Sequence, residues 1–226
     1  MKIFKVIKNC LSGYTMTRTL FNLHYENYRI EGKVLDAGAK SRYISYYDFI
    51  NHKEADITFA DLKKNEKGFI AMDFEKLLPI DSNEFDYVLL MNVLEHVYNH
   101  KRFLGELNRI LKKEGKLVGF VPFLIGFHAD PGDFYRYTHS CLEKLLVETG
   151  FPQVKITLIG EGSLLCISDL MLFYFPKHKY FFFLRPLSRV LSVLLYILNS
   201  FMFYIGKGMN TKTGMAYLGI AFEAKK

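Results

Sequence analysis

Apolar runs of strand length alternate with segments of helical period through the middle of the chain. From residue 33 to about residue 158 this pattern predicts six strands with amphipathic helices between them. Such alternation is typical of a mostly parallel sheet covered by helices. The predicted strands comprise residues 33–37, 56–60, 69–73, 85–91, 116–122 and 153–159. The alternating segment "MAYLGIAFEAKK" predicts a closing strand.

The clearest helical period lies over residues 99–113. Its apolar stripe consists of Phe103, Leu104, Leu107, Ile110 and Leu111. Lys112 and Lys113 are expected in the last turn, where cations favour the negative end of the helix dipole, and Gly115 is expected to end the helix.

A second helix is predicted over residues 139–149. It begins at Thr138 or at a capping box formed by Ser140 and Glu143. Gly150 is expected to end it, since glycine adopts the backbone conformation that follows a helix.

The sequence of residues 1–29 predicts one or two helices ahead of the first strand. On the first helix, a face of Lys2, Lys5 and Lys8 is expected opposite a face of Ile3, Phe4 and Ile7. The apolar steps between these lysines are too short for a secretory signal, so we expect the segment in the mature protein.

The composition fits one α/β domain with an insertion. The chain has 226 residues, half of them apolar, which suffices for a full core. Its three cysteines, Cys10, Cys141 and Cys166, are far apart and match no zinc-binding spacing. They predict neither a disulfide framework nor a metal site, and they favour a reducing, cytosolic setting.

The positive charge is unevenly distributed. The formal charge is +7, and residues 170–222 contain no Asp or Glu. The basic residues there stand among long apolar runs, and they are Lys177, Lys179, Arg185, Arg189, Lys207 and Lys212. Residues 161–213 are therefore predicted to form an apolar, basic helical insertion that a minimal fold does not need.

Three interpretations of this insertion remain open. The uncharged run from Val190 to Gly206 has the minimum length for a transmembrane helix, but it contains Ser192, Asn199 and Ser200. A buried helix pair could pack on the domain or on a second copy of the chain, giving a homo-oligomer. Interfacial helices could lie on an anionic membrane surface, and we favour this interpretation. Nucleic acid is disfavoured as a partner, because the charge does not lie on a solvated face.

Aspartates stand at the ends of three predicted strands. They are Asp36 in "VLDAG", Asp61 in "ITFAD" and Asp73 in "IAMDF", whereas Asp86 precedes its strand. In an open parallel sheet, ligands bind beyond the carboxyl ends of the strands. We therefore expect these three side chains to converge on one crevice.

The stretch from Gly32 to Phe151 resembles a class I S-adenosylmethionine-dependent methyltransferase of the small-molecule type, with a methyltransferase-11-like domain. The resemblance rests on five ordered segments: "VLDAGAKS", "ITFADL", "AMDFEKLLPIDSNEFDYVLLMNVLEHV", "ELNRILKKEGKLVGFVPF" and "HADPGDFYRYTHSCLEKLLVETGF". It implies an α/β fold with a Rossmann-like, doubly wound, mostly parallel sheet, three layers and an antiparallel closing strand. We expect a single domain over residues 1–226, in which residues 30–160 form the cofactor-binding core and residues 214–226 the closing strand.

The resemblance implies S-adenosylmethionine as methyl donor and S-adenosylhomocysteine as product. Asp61, followed by Leu62, would hold both ribose hydroxyls, a charge-assisted contact that suits a carboxylate. Asp73, together with Met72 and Phe74, would face the adenine.

The turn "GAKSRY", residues 38–43, differs from phosphate-binding loops. It fails the G-x-G-x-x-G fingerprint, which disfavours a dinucleotide or nucleotide-sugar enzyme. S-adenosylmethionine has no phosphate, so one close approach at Gly38 can suffice. By resemblance, Asp36 would orient this loop and the ammonium group of the cofactor, and Asn92 would lie beneath its methionine arm. Lys40 either reaches the cofactor carboxylate or crowds the pocket.

The segment "FHADPGDFYRYT" follows the fifth strand and is expected to overhang the pocket. If the acceptor is a hydroxyl, His128 is the first candidate base, followed by Asp130 and Asp133. The candidates for binding an anionic or sugar-like acceptor are Tyr135, Arg136 and Tyr137, with His96 from the earlier "LEHV" segment. The alternative is a structural turn with its aromatic rings packed inward and His96 bonded to a nearby carbonyl.

The sequence thus predicts a cytosolic enzyme, peripheral on the inner face of the membrane. It would methylate a hydroxyl of a lipid-linked, glycan-type or other small acceptor. The rival is a non-catalytic scaffold or membrane-peripheral binding module, in which the loop at Lys40 no longer admits the cofactor.

Overall fold

A computed structural model describes residues 2–41, 44–62, 69–174, 185–206 and 216–226. Seven strands form one sheet: β1 (Arg29–Ala37), β2 (Asn51–Asp61), β3 (Phe69–Ala71), β4 (Phe85–Met91), β5 (Leu111–Pro122), β6 (Gln153–Ile159) and β7 (Gly219–Lys225). All six predicted strands and the closing strand are present. β3 is shorter than predicted and leaves Asp73 in the loop after it.

The strand order is β3-β2-β1-β4-β5-β7-β6, which confirms the Rossmann-like α/β fold class. β1 pairs in parallel with β2 on one side and with β4 on the other, so the order reverses at β1. Ligands bind at such a reversal point, beyond the carboxyl ends of the strands. The closing strand β7 is antiparallel to β5, because Lys226 bonds to Gly115 and Leu218 bonds to Phe123.

The described residues form six α-helices: α1 (Lys2–Leu11), α2 (Met16–His24), α3 (His100–Ile110), α4 (His139–Glu148), α5 (Ser163–Tyr174) and α6 (Arg185–Gly206). Short 3₁₀ turns cover Ser45–Asp48 and Leu94–His96. The central strands are buried on both faces, as expected for parallel strands covered by helices.

The chain divides into two compact units. One unit contains residues 25–122, 127–157 and 220–226, and thus β1 to β5, α3 and α4. The other contains residues 1–24, 123–126 and 158–219, with α1, α2, α5 and α6.

The prediction for α3 is right about its buried face and wrong about its end. Phe103, Leu104, Leu107 and Ile110 are buried as predicted. However, the helix stops at Ile110, and Leu111 begins β5 by pairing with Phe85 of β4. Lys112 therefore lies in a strand, where its ammonium binds the Asp86 carboxylate at 2.8 Å. The strand pairing outweighs the helical period, and Glu114 rather than Gly115 has the positive φ, 68°.

The helix α4 follows the prediction closely. The Thr138 hydroxyl accepts a hydrogen bond from the Cys141 backbone N–H at 3.2 Å, so Thr138 is the N-cap. The chain leaves the helix through Gly150, whose φ of +99° is favourable only for glycine.

The N-terminal helix α1 is predicted correctly. Its fully buried side chains are Val6 and Cys10, whereas Phe4 is 74% exposed. The reason is tertiary, because Cys10 packs beside Met16 and Thr19 of α2.

The predicted insertion contains α5 and α6, and it is tied to the N-terminal helices. Asp169 of α5 accepts hydrogen bonds from the Thr17 backbone N–H at 3.0 Å and from the Thr17 hydroxyl at 2.6 Å. Arg189 of α6 donates to the Leu11 carbonyl at 3.2 Å. Four of the predicted basic residues, Lys177, Lys179, Lys207 and Lys212, lie outside the described residues.

Helix α6 buries polar side chains and exposes apolar ones. Ser192 and Asn199 are almost fully buried, and the Asn199 amide donates to the Glu161 carbonyl at 3.0 Å. Nine apolar side chains are 38–81% exposed: Leu187, Val190, Leu191, Leu194, Ile197, Leu198, Phe201, Met202 and Tyr204. None of the helices in the described ranges is both long and apolar enough to cross a bilayer.

Candidate functional site

A cavity of about 330 Å³ opens at the carboxyl ends of the parallel strands. It lies where β1 separates β2 from β4, which is the position expected for a ligand in this topology. Its lining residues are Gly38, Lys40, Asp61, Leu62, Asp73, Phe74, Glu75, Asn92, Val93, His96, Val97, Ala129, Asp130, Pro131 and Phe134. Nine of them were predicted as site residues from the sequence.

Gly38 has a backbone conformation that favours glycine, and it lies close to Val93 in the pocket wall. Its φ is +90°, and a Cβ atom there would lie 2.3 Å from Val93 Cγ2. Its N–H donates to the Ala60 carbonyl at 2.7 Å, which fixes the turn against β2. Only glycine fits this position, since any side chain would collide with the pocket wall.

Two of the three strand-end aspartates meet in the pocket. Asp61 ends β2, and Asp73 follows β3. The Asp73 carboxylate accepts from the Glu75 N–H at 3.0 Å and pairs with Lys76 at 3.0 Å. Lys76 and the Glu75 N–H hold the Asp73 pKa below its usual value, so this group is a carboxylate at neutral pH.

The third strand-end aspartate, Asp36, does not appear among the described residues that line the cavity. It is fully buried, and the hydroxyls of Tyr46 and Tyr47 donate to its carboxyl group, the latter at 2.6 Å. Burial raises the Asp36 pKa to about 6. The two tyrosines were missed, because nothing in "SYYD" distinguishes them.

Three of the four other residues predicted to contact the cofactor beside these aspartates line the cavity. Leu62, Phe74 and Asn92 line the cavity, and Asn92 has a positive φ of 56°. Met72 is buried, and its N–H donates to the Asp61 carbonyl at 3.0 Å.

Lys40 and Asp130 form an ion pair at the pocket. Both residues line the cavity, and their side chains are 74% and 46% exposed. The Lys40 ammonium holds the Asp130 pKa below its usual value. The pair joins the loop after β1 to the loop after β5.

The predicted acceptor segment forms a hydrogen-bonded turn. Asp133 accepts two hydrogen bonds from Arg136, at 2.5 and 2.7 Å, and one from the His128 backbone N–H at 2.9 Å. Arg136 holds the Asp133 pKa well below its usual value. The Tyr135 hydroxyl donates to the Tyr98 carbonyl at 3.0 Å.

Tyr137 is buried, and its hydroxyl donates to the Leu94 carbonyl at 3.2 Å. The cavity-lining residues in the described chain do not include His128, Asp133, Tyr135, Arg136 or Tyr137. From this segment, Ala129, Asp130, Pro131 and Phe134 line the cavity instead.

His96 forms part of the pocket wall. Its Nδ1 lies 2.5 Å from the Gly132 carbonyl oxygen, so Nδ1 carries the proton. Burial lowers the His96 pKa, which favours the neutral ring. The His128 ring lies perpendicular to it, with the ring centroids 5.0 Å apart.

Glu95 lies beside both histidines and is fully buried. Its Oε1 is 3.8 Å from His96 Nε2 and 3.9 Å from His128 Nε2. Neither carboxyl oxygen has a hydrogen-bond partner among the described residues. Burial raises the Glu95 pKa to about 8. Glu95 was not among the site residues predicted from the sequence, because a buried carboxyl group gives no sequence signal.

Known proteins resemble this chain in fold and, over residues 35–119, in sequence. Residues 35–119 match the family model described as "Methyltransferase domain". An uncharacterized protein of Methanocaldococcus jannaschii is 56% identical over 41 residues, which are 18% of this chain and 18% of that protein. The chain thus matches less than a fifth of that relative's length.

Two solved structures resemble the chain over most of its length. A SAM dependent methyltransferase from Archaeoglobus fulgidus has a TM-score of 0.56 and 17% identity, covering 99% of both chains. The 1,6-didemethyltoxoflavin-N1-methyltransferase of Burkholderia thailandensis, solved with 1,6-didemethyltoxoflavin and S-adenosylhomocysteine, has a TM-score of 0.52 and 14% identity. That alignment covers 98% of this chain and 78% of the other.

The matched residues run from β1 to β5 and contain Gly38, Asp61, Asp73 and Asn92. Residues 35–119 are thus similar to a methyltransferase domain, and the two solved structures share the fold of this chain. S-adenosylmethionine is the cofactor that this resemblance implies.

The residues of the cavity fit this cofactor. Its volume suits a small organic ligand, and its walls combine apolar side chains with a few polar groups. Asp61 and Asp73 can accept hydrogen bonds from hydroxyl and amino groups, while Leu62 and Phe74 offer apolar contact. The single glycine turn suits a ligand without phosphate.

Proposed function

We propose that this chain transfers the methyl group of S-adenosylmethionine to a hydroxyl of a small acceptor of glycan or lipid-linked type at a membrane surface. The observation that carries this proposal is one cavity lined by Gly38, Asp61, Asp73 and Asn92 on one side and by Asp130 and Phe134 on the other.

The cofactor side of the cavity is formed by residues at strand ends. Asp61 would hold the ribose hydroxyls, and the carboxylate of Asp73 with Phe74 would face the adenine. Gly38 and Asn92 would lie along the methionine part, because their turns border the same cavity. Lys40 is engaged by Asp130, which draws its ammonium toward the loop after β5.

When bound, S-adenosylmethionine supplies an already activated methyl group on a positively charged sulfur. The protein therefore has to bind and orient the acceptor in line and to exclude water. Phe134, Pro131 and Ala129 provide an apolar wall for this purpose. Of the three predicted bases, Asp130 is the one found among the described lining residues, so geometry favours it as the acceptor of the hydroxyl proton.

The proposed acceptor class follows from the polar groups on the same side. Lys40, Glu75, His96 and Asp130 border the cavity beside the apolar wall. A polyhydroxylated or glycan-type group can bond to such carboxylates and to an ammonium through its hydroxyls. The indirect support for a lipid-linked acceptor comes from α6.

The exposed apolar side of α6 supports a membrane surface as the place of action. A helix that buries Ser192 and Asn199 while exposing leucines has its apolar face turned to the outside. Membrane-surface helices have this character, with apolar side chains entering the leaflet. The adjoining α1 exposes Phe4 and Lys8.

Calorimetric titration with S-adenosylhomocysteine tests the cofactor assignment, with NAD as a negative control. We expect saturable binding by the wild type and a loss of about 10–100-fold in affinity in Asp61→Asn, which removes a charge-assisted contact. Asp56→Asn is the matched control, since Asp56 is exposed on the same strand. Folded wild-type protein that does not bind would support the non-catalytic scaffold instead.

A further inference from the structure

Glu95, His96 and His128 form a compact cluster of metal-binding side chains. One carboxylate oxygen and two imidazole nitrogens lie within 4.8 Å of one another. His96 also lines the cavity, so the cluster adjoins the acceptor side of the pocket. The spacing of the cysteines in the sequence predicted no metal site. Glu95, His96 and His128 were not considered in that prediction as metal ligands.

The carboxyl group of Glu95 lacks the partners that a buried carboxyl group normally has. It is fully buried, and in the described part of the chain neither oxygen accepts or donates a hydrogen bond. Burial of a carboxyl group without a hydrogen bond is unfavourable in either protonation state, because water would otherwise solvate both oxygens. An unpaired buried group of this kind calls for a specific explanation, and a bound cation is one.

Both histidines place Nε2 near this carboxyl group. Because His96 Nδ1–H donates to the Gly132 carbonyl, His96 Nε2 is left as the ring atom that faces Glu95 at 3.8 Å. His128 Nε2 faces the same oxygen at 3.9 Å. Metal-binding histidines are commonly held in this way by an acceptor on their other nitrogen.

His128 has such an acceptor as well. Its Nδ1 lies 3.5 Å from the Asp133 carboxylate, which is itself fixed by Arg136. A carboxylate beside the distal nitrogen orients a ligating imidazole and raises its basicity. Both histidines are thus arranged with Nε2 inward and Nδ1 toward a backbone or carboxylate oxygen.

The donor set selects a class of ion. Two imidazoles and one carboxylate suit zinc and neighbouring divalent transition metals rather than magnesium or calcium, which prefer oxygen donors. In a tetrahedral zinc site with bonds of about 2.0–2.1 Å, donor atoms lie about 3.3 Å apart. The observed separations of 3.8 and 3.9 Å require small side-chain rotations to reach that geometry.

We propose that Glu95, His96 and His128 bind one divalent transition-metal ion, zinc foremost, at the acceptor side of the pocket. Three protein ligands leave a position for water or for an acceptor oxygen. A hydroxyl bound to such an ion loses its proton more readily, which would assist methyl transfer. That role rests on the proposed function, whereas the binding itself does not.

The test uses the untagged full chain, freed of metal by a chelator and dialysed. Zinc and cobalt are titrated in competition with a chromophoric chelator, and metal content is measured by mass spectrometry. We expect one ion per chain, and visible cobalt absorption bands of a site with nitrogen and oxygen ligands. Glu95→Gln and His128→Asn are each expected to weaken binding at least about 100-fold, since each removes a ligand.

Two control variants remove exposed groups that could bind zinc adventitiously, Cys141→Ser and His139→Asn. Neither should change the stoichiometry. Circular dichroism and a cooperative urea transition show that each variant is folded, independently of S-adenosylhomocysteine binding. The absence of one-to-one binding by the wild type, or binding retained in both Glu95→Gln and His128→Asn, would overturn the proposal. Metal binding without S-adenosylhomocysteine binding would instead contradict the proposed function alone.

Discussion

Lys40 of the loop after β1 forms an ion pair with Asp130 of the loop after β5, and both side chains line the same cavity. The lysine that replaces a glycine in the turn is therefore directed to a carboxylate. The ion pair draws the Lys40 ammonium toward Asp130, so the effect of this lysine on cofactor binding depends on the pair. It also connects the cofactor side of the pocket with the acceptor side.

Replacing Lys40 by alanine is expected to change the affinity for S-adenosylhomocysteine by less than about fivefold. The pair with Asp130 is largely exposed, and such pairs contribute about 0.2–1 kcal/mol. Calorimetric titration of the wild type and Lys40→Ala measures the difference. If only the variant bound, Lys40 would be an obstruction and the wild-type pocket would be closed to the cofactor.

Replacing Gly38 by alanine should both destabilise the protein and abolish cofactor binding. The positive φ and the 2.3 Å approach to Val93 Cγ2 together predict a loss of about 2–4 kcal/mol in the free energy of unfolding. Urea denaturation measures this loss. The matched control is Gly105→Ala within α3, where a Cβ meets no atom within 4 Å. The control should gain about 0.5–1 kcal/mol, and an equal loss in both variants would contradict the prediction.

The buried carboxyl group of Asp36 should make stability depend on pH. Its pKa is raised by burial from 3.8 to about 6, so the folded protein holds this proton more tightly than the unfolded chain does. The stabilising contribution is therefore fully present below about pH 4 and is lost as the pH rises through 6. The pKa difference corresponds to about 3 kcal/mol.

The comparison with Asp36→Asn isolates this contribution from that of other groups, because asparagine does not titrate. Relative to the wild type, the free energy of unfolding of the variant should rise by about 3 kcal/mol between about pH 4 and pH 7. Urea denaturation across this range provides the measurement. A difference that stays constant would show that Asp36 does not titrate in the folded protein.

The apolar face of α6 is expected to bind anionic vesicles. In a sedimentation assay, Leu194→Glu combined with Leu198→Glu should remove most of the bound protein, because both side chains are exposed on that face. Val147→Glu, a change at an exposed apolar residue of α4, is the control and should bind like the wild type. Neutral vesicles should bind less than anionic ones.

Light scattering of the same proteins separates two occupants of this face. A wild-type dimer that becomes monomeric in the double variant, with no vesicle binding by either, would mean that a second copy of the chain covers α6. A monomeric wild type that binds vesicles supports the membrane surface.

The sequence predicted the position of the pocket because strand ends are a local property. Gly38, Asp61 and Asp73 each follow a short apolar run, and parallel pairing brings the carboxyl ends of their strands to one edge. Asp36 shares this pattern, yet its side chain is taken up by Tyr46 and Tyr47. Whether an aspartate at a strand end faces the cavity therefore depends on side chains from other segments, which the strand pattern does not identify.

The end of α3 likewise depends on a tertiary contact that the sequence pattern does not show. Helical periodicity continues through Leu111, but Leu111 pairs with Phe85, and the chain enters β5 without the predicted last turn. Similarly, α1 buries Val6 rather than Phe4, since its buried face is set by packing within its unit.

By itself, the sequence determined the succession of strands along the chain and the glycine turn, because hydrophobic period and turn chemistry act between residues close in the chain. The class of cofactor was implied by the resemblance of the ordered segments to a methyltransferase. The tertiary structure alone decided that Lys40 meets Asp130 and that Glu95 is buried beside His128. These contacts join separate loops over the same sheet edge. Their burial and charge balance exist only once those loops have folded together.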